Sequence, residues 1–105
     1  MPPLPTPYTV LVYRPQRSPD TYGGSDVELQ AVGAYPCWVR QLSAVETVDL
    51  GFQGTTVIKR FYFNGKPDIQ TDDRLEWESA RYRVIRVNDI SSLTVLTQID
   101  GLLED

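Results

Sequence analysis

Asp72 and Asp73 are adjacent carboxylates, the one arrangement in the chain that could share general acid–base work or hold a divalent cation. They follow Thr71 and precede the run RLEWE, which is ordinary turn composition, and the turn is the preferred reading. The 105 residues contain no histidine. Ser-His-Asp and Cys-His constellations therefore cannot be built, and no side chain titrates near neutrality without a strong perturbation. Cys37 is the single cysteine, which rules out an intramolecular disulfide and a zinc site made of Cys and His. Flanked by Pro36 and Trp38, it reads as a small buried hydrophobe. Gly23-Gly24 is an isolated pair, with neither GxxxxGK[ST] nor GxGxxG anywhere. The expectation is a protein that is not an enzyme and takes no metal or cofactor.

Charge narrows the partners. The net charge is −4, a poor balance for gripping nucleic-acid backbone. Seven of the ten basic residues lie between Lys59 and Arg86, interleaved with acids, and the chain finishes on the acidic IDGLLED. KRFYF and RYRVIR have the aromatic-plus-basic composition of a single-strand binder. The neighbouring acids favour a salt-bridging surface instead. No run approaches the ~18 apolar residues of a membrane-spanning helix. MPPLPTP lacks the basic and apolar regions of a signal peptide, so synthesis in the cytoplasm is expected.

The elements that position these charges are strands. After an extended proline-rich arm (1–7), YTVLVYR (8–14) is apolar on both faces, as in a covered strand. PQRSPDTYGGS is turn chemistry, with Gly23-Gly24 able to take positive φ. DVELQAV alternates as a returning strand, although Ser25 and Glu28 also fit a capping box. YPCWVRQL (35–42) is a further strand, and SAVETVDLGFQG a long aperiodic connection. TTVIKRFYF (55–63) is a strand by β-branched and aromatic density, ended by Asn64-Gly65. RLEWE and RYRVIRV form a hairpin around Ser79-Ala80, and SLTVLTQI (92–99) is the last strand. The fold class is all-β: a small six- to seven-stranded barrel or sandwich over residues 8–100, with long loops, extended termini and an acidic tail at 101–105. Trp38, Trp77, Tyr82, Val84, Phe61 and Val10 are the expected core.

The order YRPQ, DTYGG, CWVRQLS, the acidic AVETVDL, TTVIKRFYF and DIQTDDRLEWESARYRVIRVND resembles the head–tail connector proteins of tailed bacteriophages, also called head-closure or head-to-tail stopper proteins. The most telling piece is the D-R-hydrophobic-x-W, short turn, R-Y-x-V hairpin from Asp73 to Val84. The resemblance spans residues 8–99 and rests on order and spacing. It implies a non-enzymatic small β-barrel, assembled as a homo-oligomeric ring, twelve-fold as in the family, in the virion neck. Portal and adaptor proteins would lie above it and tail or tail-terminator proteins below. It also implies a loop from each subunit that retains packaged double-stranded DNA without reading its sequence.

On that footing, Glu46, Thr47, Asp49 and Phe52 are the first choice for the channel loop, because 43–54 carries two acids and no Lys or Arg. Asp20, Tyr22, Gly23 and Gly24 form the second loop, either in the channel or at an axial docking surface. Arg81, Arg83, Arg86, Glu76, Glu78, Leu102 and Leu103 are expected at the subunit interface, where mixed charge can fix register. The arm 2–7 and the tail 102–105 would contact neighbours. The alternatives are a tail-completion or tail-terminator ring and, in a different class, a nucleic-acid-binding barrel.

Overall fold

The computed structural model describes residues 6–19, 25–89 and 96–104. Along the chain come β1 (Tyr8–Pro19), β2 (Ser25–Gln41), α1 (Ala44–Asp49), β3 (Ile58–Asn64), β4 (Arg74–Trp77), β5 (Ala80–Asp89) and β6 (Leu96–Glu104). All pairings are antiparallel, and the strands close into a barrel of cyclic order β1-β2-β3-β6-β5-β4. The all-β expectation holds. Closure rests on a short seam in which Leu11, Val12 and Tyr13 face Glu76, Leu75 and Arg74.

Strand alternation sorts the side chains. Val10 and Val12, Cys37, Phe61 and Phe63, Leu75, Tyr82 and Val84, and Ile99 turn inward and are buried, with Ile69 added from the β3–β4 connection. Burying a Val, Leu or Phe side chain contributes about 1.5–3 kcal/mol each. Phe61 meets Trp77 and Tyr82 edge-on at 6.4 and 5.6 Å, and Trp77 meets Tyr8 at 5.4 Å. A barrel this narrow leaves no room for a side chain at every inward position. At Gly101 an added Cβ would lie 2.9 Å from the Tyr82 Cβ and 3.2 Å from the Phe61 Cε1.

Several expectations are corrected. Trp38 is not core: Cys37 takes the inward position, and Trp38 lies on the outer face, 37% exposed, against Tyr62 at 5.2 Å. Trp77 packs against the core without being fully buried. The two strands expected at DVELQAV and YPCWVRQL are one strand of 17 residues. Residues 101–104 continue β6, so most of the expected tail belongs to the barrel. The β4–β5 turn residues are Glu78 and Ser79, one position earlier than expected, with φ of 49° and 63°. Positive φ at both positions is what a two-residue type I′ hairpin requires. The segments 2–5 and 92–95, Asp105, and the second-loop residues Asp20, Tyr22, Gly23 and Gly24 lie outside the described residues.

Beyond the seam, β1 and β2 leave the barrel together. A bulge at Val12/Tyr13 marks the departure, and residues 14–19 pair with 25–30 as a two-stranded ribbon. Among the described residues no third strand joins it. Six residues at ~3.3 Å each carry the ribbon roughly 20 Å, and the longest dimension of the molecule is 53 Å.

Candidate functional site

Within the segment expected as a free loop, residues 44–49 are helical. Ser43 is the N-cap: its hydroxyl accepts from the Glu46 N–H at 3.2 Å, while the Glu46 carboxylate accepts from the Ser43 N–H at 3.1 Å. Six residues are too few for a helix to hold itself. Side chains from the barrel supply the rest. Arg40 on β2 grips the Glu46 carboxylate with both terminal nitrogens, at 2.9 and 2.7 Å. Arg60 on β3 stands 3.6 Å from the same carboxylate and binds the buried Asp100 at 2.7 Å. The chain Arg40–Glu46–Arg60–Asp100 therefore straps α1 to the outer faces of β2, β3 and β6. The Arg40 guanidinium, with the Ser43 amide second, pulls the Glu46 carboxyl down to about 2.

The four channel-loop candidates consequently do different things. Glu46 is committed to the strap. Thr47 is 1% exposed, its hydroxyl donating to the Ser43 carbonyl at 2.8 Å. Phe52 is half-buried and its amide donates to the Thr47 carbonyl at 3.2 Å. Only Asp49 is exposed, on the outward face with Val45 and Val48.

A second wall is built by β4, β5 and β6. Strand register sets its outer face in rows: Glu76 beside Arg81 beside Glu104, then Arg74 beside Arg83 beside Leu102, then Arg86 beside Asp100. Arg74 reaches across to Glu104 at 2.8 Å and also donates to the Asp72 carbonyl. Arg81, Arg83 and Arg86 have no ion-pair partner among the described residues. Glu78 sits exposed in the hairpin turn. Leu103 departs from the expected interface, since it packs inward against the core while Leu102 faces out. A groove of about 790 Å³ opens on this wall, bounded by Leu29 of the ribbon and by Arg74, Glu76, Ser79, Ala80, Arg81 and Glu104.

Asp72 and Asp73 part ways. Asp73 is 1% exposed and its carboxylate accepts from Arg14 Nε and Nη2 at 3.1 and 3.0 Å and from the Gln70 N–H at 2.8 Å. It locks the β1 exit to the β4 entry. Asp72 is exposed, with φ of 73°. A third outer surface, on β1 and β2, carries exposed Leu11, Ala34, Pro36 and Trp38.

Sequence reasoning placed the hairpin charges but missed α1 and its strap. The available signal was Ser43-x-x-Glu46 directly after a strand, with Arg40 just upstream.

Solved structures that share the fold include two at 14% identity. One is protein SF1141 from Shigella flexneri 2a, at a TM-score of 0.71 over 91% of this chain and 90% of that one. The other is a chain of the virion of a native gene transfer agent particle, at a TM-score of 0.65 over 92% and 93%. No curated protein sequence matches. A family profile described as phage head completion protein matches residues 1–99, nearly the whole length. The chain belongs to the phage head completion protein family and is a structural component of the virion.

Proposed function

We propose that the chain forms a ring in the phage neck, between portal or adaptor and tail, where it closes the channel on packaged DNA and offers the tail its attachment surface. The observation that carries this reading is the β1–β2 ribbon, the one described element that extends well past the barrel. A closed barrel supplies a rigid block for a ring, and a two-stranded ribbon can reach from that block to a central axis. The ribbon replaces residues 43–54 as the channel element, because that segment is folded back and strapped by Arg40. Residues 16–33 carry Asp20, Asp26 and Glu28 against the single Arg17. Surplus negative charge in a channel repels the DNA backbone and lets it slide, whereas a basic lining would hold it.

Two measurements test the reading. Mass spectrometry of purified particles should find this chain at near-equal copies with the portal protein; its absence from particles would end the neck assignment. Replacing Asp20, Asp26 and Glu28 with lysine should slow DNA ejection, with the slowing relieved by added salt. Unchanged retention and ejection would remove the ribbon from the channel.

A further inference from the structure

The outward ridge of α1 has a counterpart on another wall of the same molecule. Val45 and Val48 are 71% and 55% exposed, and Asp49 completes the ridge at positions i, i+3 and i+4. Large apolar side chains held this far out, on a helix too short to stand alone, are an expensive way to cover a surface. The strap through Glu46 fixes the ridge before anything docks on it, so docking would lose little ordering entropy. The groove on the charged wall is the complement. Its rim carries Leu29 and Ala80 as apolar contacts. Of its two arginines, Arg74 is matched by Glu104, while Arg81, which stands between Glu76 and Glu104 in strand register, makes no ion pair among the described residues. Asp49 likewise has no ion partner among them.

In the cyclic order β1-β2-β3-β6-β5-β4, β3 and β4 are three steps apart in either direction. The helix is strapped over β2 and β3, reaching Asp100 of β6 through Arg60, and the groove opens on β4 and β5, with Glu104 of β6 and Leu29 of the ribbon on its rim. The two surfaces thus centre on different walls of one barrel, and a head-to-tail contact needs two such different patches.

We propose that the α1 ridge of one copy seats in the β4–β5 groove of the next, with Val45 and Val48 entering the groove and Asp49 meeting Arg81. This rests on the ring reading and names its lateral contact. The partner is a second copy of this chain, because one molecule carries both halves.

Cysteine trapping tests it. Cys37 is fully buried and stays out of the reaction. A chain carrying both Val48→Cys and Ser79→Cys should oxidise to a ladder of multimers on a non-reducing gel, and the two single variants mixed should stop at dimers. Each single variant alone should stay monomeric. A missing ladder overturns the contact. A dimer from Val48→Cys alone overturns it too, because the helix would then be meeting another helix. A second arm uses charge reversal: Asp49→Arg or Arg81→Asp should weaken association about tenfold, and the two together should restore it. Failure to restore points to some other acidic protein surface as the groove's occupant and refutes the pairing. Portal-like copy number without a ladder sinks the contact and leaves the neck ring standing. A ladder from a chain that is missing from particles does the reverse.

Discussion

Replacing Gly101 with alanine puts a methyl group where the barrel has no space for one. Its Cβ would lie 2.9 Å from the Tyr82 Cβ and 3.2 Å from the Phe61 Cε1. The Phe61 ring can tilt, but the Tyr82 Cβ is one bond from the β5 backbone and cannot. Gly101 is held between Lys59 on β3 and Val84 on β5, so neither neighbouring strand can slide to relieve the contact. Overpacking of this kind costs about 1–3 kcal/mol. The loss of glycine's freedom in the unfolded chain returns about 0.4–1 kcal/mol. The net expectation is a destabilisation of about 1–2 kcal/mol, or a melting temperature lower by roughly 5–10 °C for a domain of this size. Gly54→Ala is the control: its Cβ would make ordinary contacts at 3.4 Å with Ala44 and 3.6 Å with Val48, and should stay within about 0.5 kcal/mol of the parent. Both are read by urea and thermal unfolding. A Gly101→Ala protein as stable as the parent would refute the claim that the barrel interior is close-packed at that point.

Two further outcomes concern charge. Asp73→Ala should lower stability by about 2–3 kcal/mol in urea unfolding, because it strands the Gln70 N–H and takes two charge-assisted bonds from Arg14. Glu46 has its carboxyl depressed from 4.5 to about 2 by Arg40. A depressed acid stabilises the fold above its unfolded pKa, and that contribution drains away as pH falls from about 4.5 towards 2. Glu46→Gln should therefore weaken the protein at pH 7 and flatten that part of the acid limb, measured as urea midpoints across the range; an unchanged acid limb would mean the strap is not formed in solution.

Much of this fold was legible because β-strands advertise themselves by alternation. The pattern is clearest in β5, where Tyr82 and Val84 alternate with arginines, and in β3, where Phe61 and Phe63 bracket Tyr62. β2 was harder. Gly33 and Pro36 look like the end of one strand and the start of another, yet a single strand runs through both, with a bulge at Val32 beside Gly33. Proline is tolerated there because β3 joins only from Trp38 onward, leaving that edge of β2 open at Pro36. Trp38 misled by its size. Period-two alternation says which residues share a face, but not which face is inside, and the narrow interior takes Cys37 instead.

The candidate site was less legible. A six-residue helix is shorter than two turns, so it has no hydrophobic period to read. Its remaining signal, Ser43-x-x-Glu46, has a rival in Ser25-x-x-Glu28, which lies within β2. What separates the two is a partner outside the motif, the Arg40 guanidinium, and that contact exists only after the strands have paired. The hairpin charges were visible in sequence, but the sorting of Arg81, Arg83 and Arg86 from the paired Arg74 depends on strand register.

The seam between β1 and β4 joins the beginning of the chain to its later part through three residue pairs. During synthesis, β1 can pair with β2 early, but its other edge must wait until Arg74, Leu75 and Glu76 have left the ribosome. Such distant pairings form slowly, because the connecting chain has to be closed into a large loop first. In the interval β1 presents an open strand edge, which is a template for any other chain with an edge of its own. In the proposed ring, each copy would pass through that window before it joins its neighbours. The order of folding and then joining is thus imposed by three residue pairs, and weakening them would favour tangled aggregates over finished particles.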